Sequence, residues 1–190
     1  MGMKLLDRYL QNVRIKKAKQ YIQKNDAVLD IGSVDGVMFE KWKGYIGKSI
    51  GVDPTLKEKT ETEFYTLYPG YFPEACPQNE TFNAITLLAV LEHIPISQQE
   101  TLALNCHKFL KPNGRLIITV PSPQVDKILD ILLKLRLIEG MSLEEHFGYK
   151  PEHTDQIFAP PFFKLLKKQT FQLGLNNLFV FERIEPENLN

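Results

Sequence analysis

The chain has 190 residues, of which 43% are hydrophobic and 24% charged, a balance typical of a folded domain and not of a disordered chain. Lysine plus arginine and aspartate plus glutamate both number 23, so no overall positive field would attract a nucleic acid backbone. We therefore expect one domain over residues 1–190 that does not have nucleic acid as its main partner.

The N-terminal segment, residues 1–25, predicts an amphipathic helix, because apolar residues recur at helical spacing from Lys4 to Lys24. This segment lacks the apolar stretch of a signal peptide, and no run of the sequence approaches the ~18 apolar residues that a membrane span needs. Cys76 and Cys106 have neither disulfide nor zinc-ligand spacing. These observations predict a cytoplasmic protein without a membrane span or a bound metal.

The middle of the chain alternates apolar runs with helical patterns. Ala27–Ile31 is a short apolar run bounded by glycine, which is typical of a strand buried on both faces. Further strands are predicted at Ser49–Val52, Glu63–Leu67, Phe82–Ala89 and Arg115–Val120, and helices at Asp35–Lys43 and Ser97–Leu110. This alternation with short connections predicts an α/β fold, a Rossmann-like doubly wound, mostly parallel sheet in three layers.

After Pro121 the regular alternation stops. The apolar spacing in Val125–Ile138 and again in Ala159–Leu173 predicts two helices, and a last strand is predicted at Asn177–Ile184.

The turn after the first strand, Asp30-Ile-Gly-Ser-Val-Asp-Gly36, is the first candidate for a ligand site. Val34 stands where a dinucleotide fingerprint needs its second glycine, and no Gly-Lys-Ser/Thr follows as in a P-loop. Asp53 ends the next strand, 21 positions after Gly32, where an acidic side chain accepts two hydrogen bonds from a ribose diol. The pattern therefore predicts an adenosine-type ligand without phosphates.

Four stretches, VLDIGSVDG, IGVDP, FNAITLLAVLEHIP and LKPNGRLIITVPSP, follow one another in the chain. In these stretches the sequence resembles the class I S-adenosylmethionine-dependent methyltransferases, and among them the small-molecule, quinone-biosynthesis type. A weaker likeness continues in EEHFGYKPEHTDQIFAPPFFKLL, so that the resemblance spans roughly residues 27 to 181. It implies S-adenosyl-L-methionine as cofactor and a small molecule as methyl acceptor.

The resemblance also implies which residues bind the cofactor. Asp30 would hold the methionine amino group, and Gly32 and Ser33 would offer their backbone to the methionine moiety within the turn that Gly36 closes. Asp53 would take the ribose hydroxyls. Leu88 and Ala89, just past the fourth strand, would pass near the cofactor, or would belong to the core.

The sequence departs from the family pattern at four places. Val34 replaces the central glycine of the turn, Asn83 stands where the family has Asp, and Tyr71 and Phe72 occupy the loop where an Asp would contact adenine. A single strand after the last predicted helix implies a sheet that lacks its final strand. These departures keep a second function open, a non-catalytic binding or scaffold protein with a vestigial crevice, whereas the glycine spacing disfavours a nicotinamide oxidoreductase.

Methyl transfer needs mainly in-line approach of the acceptor, and some acceptors also need a general base. His93 is the first candidate for that catalytic role, with helix capping or packing as its alternative, and His146 and His153 are the second candidates. Glu145 together with His146 and His153 has no recognised metal-ligand spacing.

Residues 122–161 lie where the family builds lids and acceptor sites. An apolar stretch from Ile128 to Ile138 and a group of aromatic residues predict an apolar or aromatic acceptor: Phe147, Tyr149, Phe158, Phe162 and Phe163. The apolar stretch also fits core packing or a homodimer contact. Lys127, Lys134 and Arg136 weakly suggest contact with a membrane surface.

Overall fold

The computed structural model describes residues 2–122 and 150–186, and for residues 2–7 the backbone alone. The helices of this part of the chain are α1 Gly2–Lys19, α2 Val37–Trp42, α3 Ile96–Phe109 and α4 Thr154–Ile157. Its strands are β1 Val28–Ile31, β2 Ser49–Asp53, β3 Thr60–Glu61, β4 Tyr65–Pro69, β5 Phe82–Leu88, β6 Leu110–Pro121, β7 Phe163–Phe171 and β8 Asn176–Arg183. Short 3₁₀ turns lie at Leu91–His93 and Pro151–His153.

The strands form one sheet in the order β3-β4-β2-β1-β5-β6-β8-β7. The five central strands, from β4 to β6, run parallel, whereas β3 pairs antiparallel at one edge and β8 and β7 pair antiparallel at the other. The order reverses at β1, since β2 lies on one side of it and β5 on the other. The predicted Rossmann-like, mostly parallel fold is confirmed.

Helices cover both faces of the sheet, which explains why three of the four residues of β1 are apolar. Val28 packs in the cluster that contains buried residues of α1 and α2, whereas Leu29 and Ile31 pack in the cluster that contains those of α3. Alternate side chains of a strand point to opposite faces, so a strand covered on both faces needs apolar residues at successive positions. The carboxyl end of β1 is thereby held in the middle of three layers.

The prediction for the C-terminal part was wrong in one respect. Residues 159–173 were expected to form a helix, but Phe163–Phe171 is strand β7, which pairs with β8 to complete the antiparallel edge. Only its two end residues are buried, and the exposed Leu165 and Leu166 produce apolar spacing that resembles a helix face. The sheet therefore does not lack its final strand.

The N-terminal helix is confirmed and ends earlier than the pattern suggests. Helix α1 stops at Lys19, and its buried residues Ile15 and Ala18 join the α2 side of the core. Over the described residues, no helix combines the length and the apolar character needed to cross a membrane.

Candidate functional site

The carboxyl ends of β2, β1 and β5 lie side by side because these strands are parallel neighbours. Ile31 is in register with Val52 of β2 and with Leu87 of β5. Asp30, Asp53 and the residues that follow Leu88 therefore meet at the same edge of the sheet. This is the edge at which open α/β sheets bind ligands, at the point where the strand order reverses.

Glycine is required at both ends of the turn after β1. Gly32 has φ +85° and Gly36 has φ +66°, values that other residues rarely adopt. A Cβ atom on Gly32 would lie 2.3 Å from Cγ2 of Val90, and one on Gly36 would lie 3.2 Å from the ring of Tyr65. The turn is thus packed tightly against the segment after β5 and against β4.

The backbone amides of this turn are partly occupied. The N–H groups of Gly32 and Ser33 donate to the carbonyl of Val52, at 2.9 and 3.3 Å, which fastens the turn to β2. The Ser33 side chain is buried against the backbone of β2, since a Cβ on Gly51 would lie 2.4 Å from its Oγ. Neither amide can donate to a ligand without giving up the bond to Val52.

Asp30 is a buried carboxyl group without a cation beside it among the described residues. It is 6% exposed, and its Oδ1 accepts a hydrogen bond of 2.6 Å from the Thr86 hydroxyl. Burial raises the pKa of Asp30 to about 7, although the hydroxyls of Thr86 and Ser33 lower it, and the nearby Asp35 and Asp53 raise it further. A cationic ligand group here would favour the ionised carboxylate.

Asp53 is also buried, at 4% exposed, and one of its oxygens is already used. Its Oδ1 accepts hydrogen bonds from the backbone N–H of Thr55 at 2.7 Å and from the Thr55 hydroxyl. No described residue donates to Oδ2. The two bonds from Thr55 fix the orientation of the Asp53 carboxylate. Because a carboxylate has about four acceptor positions, Asp53 can still accept hydrogen bonds from hydroxyl groups of a ligand.

The segment after β5 closes the other side of the crevice. Ala89 adopts φ +61°, an unusual value for alanine, and its N–H donates to Thr119 at 2.8 Å. Leu88 is half-buried and packs against the α1 and α2 side of the core. Val90, which lies on Gly32, is the wall residue that sequence reasoning missed, since nothing in its local pattern shows a contact 58 positions back in the chain.

The histidine candidates are separated by the fold. His93 is exposed on the 3₁₀ turn after β5. His153 lines a cleft of about 300 Å³ between α3 and α4, together with Ile96, Gln99, Glu100, Gln156 and Ile157. Glu145 and His146 lie outside the described residues, and the described residues contain no group of His, Cys, Asp and Glu suited to a metal ion.

The aromatic residues predicted to line an acceptor pocket lie elsewhere where the structure describes them. Phe158 and Phe163 are 1% exposed and contact each other and Phe181, with ring centroids 5.6, 5.5 and 6.4 Å apart. Phe162 contacts the ring of His107 at 5.1 Å. Phe158 and Phe163 belong to the core cluster that contains the buried residues of α3, and Phe162 is partly buried against this cluster. Phe147, Tyr149 and residues 128–138 lie outside the described residues.

The structure shows how the chain accommodates two of the departures from the family pattern. Val34 is 58% exposed and does not have a positive φ, so this position of the turn does not require glycine. Asn83 lies at the opposite end of the strands, where its Oδ1 accepts from the N–H of Ala27 at 3.0 Å and from Lys111 at 3.1 Å. It joins the start of β5 to β1 and to the beginning of β6.

An open sheet of this order, with a glycine-bounded turn and two buried carboxyl groups at the carboxyl ends of β1 and β2, fits the class I S-adenosylmethionine-dependent methyltransferases. The chain belongs to the methyltransferase domain family, whose family model matches residues 5–155. S-adenosylmethionine is accordingly its methyl donor, and the cofactor expected from the sequence is confirmed.

Solved structures agree with this fold. The N-methyltransferase NodS from Bradyrhizobium japonicum WM9, in complex with S-adenosyl-L-homocysteine, aligns with a TM-score of 0.63 and 16% identity over 94% of this chain and 87% of that one. Magnesium protoporphyrin IX methyltransferase (ChlM) from Synechocystis PCC 6803, with bound S-adenosylhomocysteine, aligns with a TM-score of 0.61 and 13% identity over 93% of this chain and 82% of that one. YcgJ from Bacillus subtilis aligns with a TM-score of 0.64 and 16% identity over 94% of this chain and 99% of that one. No curated protein matches the sequence significantly.

Proposed function

We propose that the chain transfers the methyl group of S-adenosylmethionine to a small, apolar or aromatic acceptor, with the cofactor in the crevice between β2, β1 and β5. The observation that carries this proposal is the pair of buried carboxyl groups, Asp30 and Asp53, on either side of the glycine turn. The residues proposed to bind the cofactor are Asp30, Gly32, Ser33, Gly36, Asp53, Leu88 and Ala89.

The two carboxyl groups fit different parts of the cofactor. Asp30 is buried and its pKa is raised, so a nearby cation would stabilise its ionised form. The cofactor carries two such cationic groups, an ammonium group and a sulfonium. Asp53 keeps an oxygen for ribose hydroxyls while Thr55 holds the other one. The carbonyl of Gly32, to which no described residue donates, can accept a hydrogen bond from the ammonium group, whereas the N–H groups of Gly32 and Ser33 are donors and already bond to Val52.

The acceptor is proposed to enter beside the N-terminal end of α3. Gln99 is buried there and donates to the carbonyl of Ile94 at 2.8 Å, which fixes the turn after β5 against the cleft that His153 lines. Ile96 and Ile157 supply apolar surface in this cleft. ChlM acts on a porphyrin and has the same fold, so the fold accommodates a large aromatic acceptor. Residues 122–161 are proposed as the lid over this side.

The chemistry asks little of the protein beyond orientation. S-adenosylmethionine supplies an activated methyl group when it is bound, and the walls of the crevice align the acceptor with it. Where the acceptor carries a proton that must leave, His93 is the group proposed to take it, because it is exposed on the turn that follows β5.

Calorimetric titration of the protein with S-adenosylhomocysteine tests the cofactor site, with NAD as the control ligand. We expect saturable binding of S-adenosylhomocysteine and none of NAD. No binding at millimolar ligand would refute the proposed site. Formation of S-adenosylhomocysteine from S-adenosylmethionine, followed over a panel of aromatic and aliphatic alcohols, amines and acids, tests the acceptor class. Turnover restricted to small polar acceptors would contradict an apolar or aromatic one.

A further inference from the structure

A second cleft lies between α1 and α2. It has a volume of about 340 Å³, within the range of small-molecule sites. It is lined from α1 by Asn12, Ile15, Lys16 and Lys19, and from α2 by Lys41 and Trp42. The glycine turn precedes the first residue of α2, whereas Trp42 is its last, so this cleft is separate from the cofactor crevice.

The cleft concentrates positive charge in a chain whose formal net charge is zero. Lys16, Lys19 and Lys41 line it, and no carboxylate does. Over residues 8–122 and 150–186, none of these three lysines forms an ion pair, whereas Lys59 and Lys168 do. Lys19 Nζ lies 4.7 Å from the centroid of the Tyr45 ring. Lys16 and Lys41 are exposed and Lys19 is half-buried, so their ammonium groups can reach an anion in the cleft.

Helix dipoles account for only part of this arrangement. Lysine in a last helical turn offsets the partial negative charge of the helix end, which is about half an elementary charge. Here the chain itself also satisfies the helix ends: N–H groups of Gln20, Tyr21 and Ile22 donate to carbonyls of α1, and those of Tyr45 and Ile46 donate to Trp42. Three positive charges therefore exceed what the two ends require.

The indole of Trp42 provides an independent observation. Trp42 is 1% exposed, and its buried Nε1 has no hydrogen-bond acceptor among the described residues. An indole N–H can only donate, and buried donors in native proteins are nearly always paired. A wall residue of a lysine-lined cleft is thus left with an unused donor.

We propose that this cleft binds the phosphate group of a small molecule. When the phosphate binds, the side chains that cover the indole N–H of Trp42 move aside and this N–H donates to a phosphate oxygen, Lys16, Lys19 and Lys41 neutralise the charge, and the Asn12 side-chain amide supplies a further donor. Phosphate suits this set because it offers several acceptor oxygens and carries nearly two negative charges at neutral pH.

The experiment uses the single tryptophan of the chain, which gives one indole ¹H–¹⁵N signal. The full chain is titrated with inorganic phosphate and, separately, with glycerol 3-phosphate, at ionic strength held constant with sodium chloride. We expect a saturable shift of the indole signal. The ligand with the lower dissociation constant then shows whether the cleft prefers free phosphate or a phosphate ester. A shift that does not saturate, or that chloride reproduces, would overturn the proposal.

Variants link the shift to the cleft. K41Q should weaken phosphate binding about threefold to tenfold, whereas K43Q, which removes the same charge two residues away, should change it less than about twofold. Lys43 is a suitable control because it lies over the ring of Phe64 and does not line the cleft. Equal effects of the two variants would refute the site.

W42F removes the N–H donor and keeps an aromatic ring, and calorimetry should show weaker phosphate binding by this variant. Circular dichroism checks that W42F folds; if it does not, the comparison of K41Q with K43Q decides. Binding of S-adenosylhomocysteine should be the same in K41Q and the wild type, which separates this site from the proposed function.

Discussion

The turn after β1 and the turn between β7 and β8 each contain a glycine with the same φ, and the two glycines differ in what surrounds them. Gly32 and Gly174 both have φ +85°. A Cβ on Gly32 would lie 2.3 Å from Val90, whereas one on Gly174 would meet nothing within 4 Å. The positive φ of Gly32 therefore lies in a closely packed part of the crevice, whereas that of Gly174 only allows the chain to reverse at the edge of the sheet.

The charged groups of the two regions differ in the same way. Asp30 and Asp53 are buried at the crevice, 6% and 4% exposed, and accept hydrogen bonds from neutral groups. Asp155, near the C-terminal edge, pairs with the exposed Lys168 at 2.6 Å. Burial raises the pKa of Asp30 and so makes its charge sensitive to pH and to a bound cation, whereas solvent screens the pair of Asp155 and Lys168.

The largest expected effect comes from replacing Gly32. G32A should lower the free energy of unfolding by about 3–5 kcal/mol, because it adds a steric clash to the cost of a positive φ. G174A, with the same φ and no clash, should cost about 1 kcal/mol. Urea unfolding of both variants measures the difference, and V90A in the G32A background should recover part of it. Equal costs for the two glycine variants would show that packing on Val90 is unimportant.

Asp30 should make stability depend on pH. Its folded pKa is about 7 and the usual value is 3.8, so the folded state holds an extra proton between these values and loses stability as pH rises through them. D30N removes this dependence. Relative to the wild type, D30N should therefore gain about 3 kcal/mol in the free energy of unfolding from pH 5 to pH 8. Urea unfolding at both pH values checks this, and a difference independent of pH would contradict it.

Asp53 should affect the affinity of the protein for S-adenosylhomocysteine. D53A should weaken S-adenosylhomocysteine binding by about 1–3 kcal/mol, since a charge-assisted contact to the ribose is lost. D155A, a carboxylate removed from the C-terminal region, should leave the dissociation constant unchanged. Calorimetry on both variants, after thermal unfolding has shown that they fold, tests the assignment. An unchanged dissociation constant in D53A would mean that the ribose binds elsewhere.

The smallest effect concerns the turn between β7 and β8. Leu173 is fully exposed and adopts φ +57°, where a branched side chain is strained. L173G should relieve this strain and, after the entropy that glycine adds to the unfolded chain, stabilise the protein by about 0.5 kcal/mol. Thermal unfolding measures it. Destabilisation by L173G would show that this turn depends on the side chain after all.

Local sequence predicted the first strand and the glycine turn after it correctly, and the C-terminal edge of the sheet wrongly. A strand buried on both faces, such as Val28–Ile31, has a pattern that depends only on its own residues. β7 is an edge strand, and its exposed side chains show no strand alternation, so only pairing with β8 reveals it. The sequence also predicted Phe158 and Phe163 in an acceptor pocket, because it does not show that both rings pack against Phe181.

The sequence by itself determined the order of the central elements, the position of the glycine turn and the two acidic residues beside it, because these depend on spacing along the chain. Only the tertiary structure decided that Val90 lies on Gly32, that Val52 occupies the amides of the turn, and that lysines of α1 and α2 meet around Trp42. Such contacts join residues far apart in the chain. Side-chain packing and hydrogen bonding between elements create them, and no local pattern encodes either.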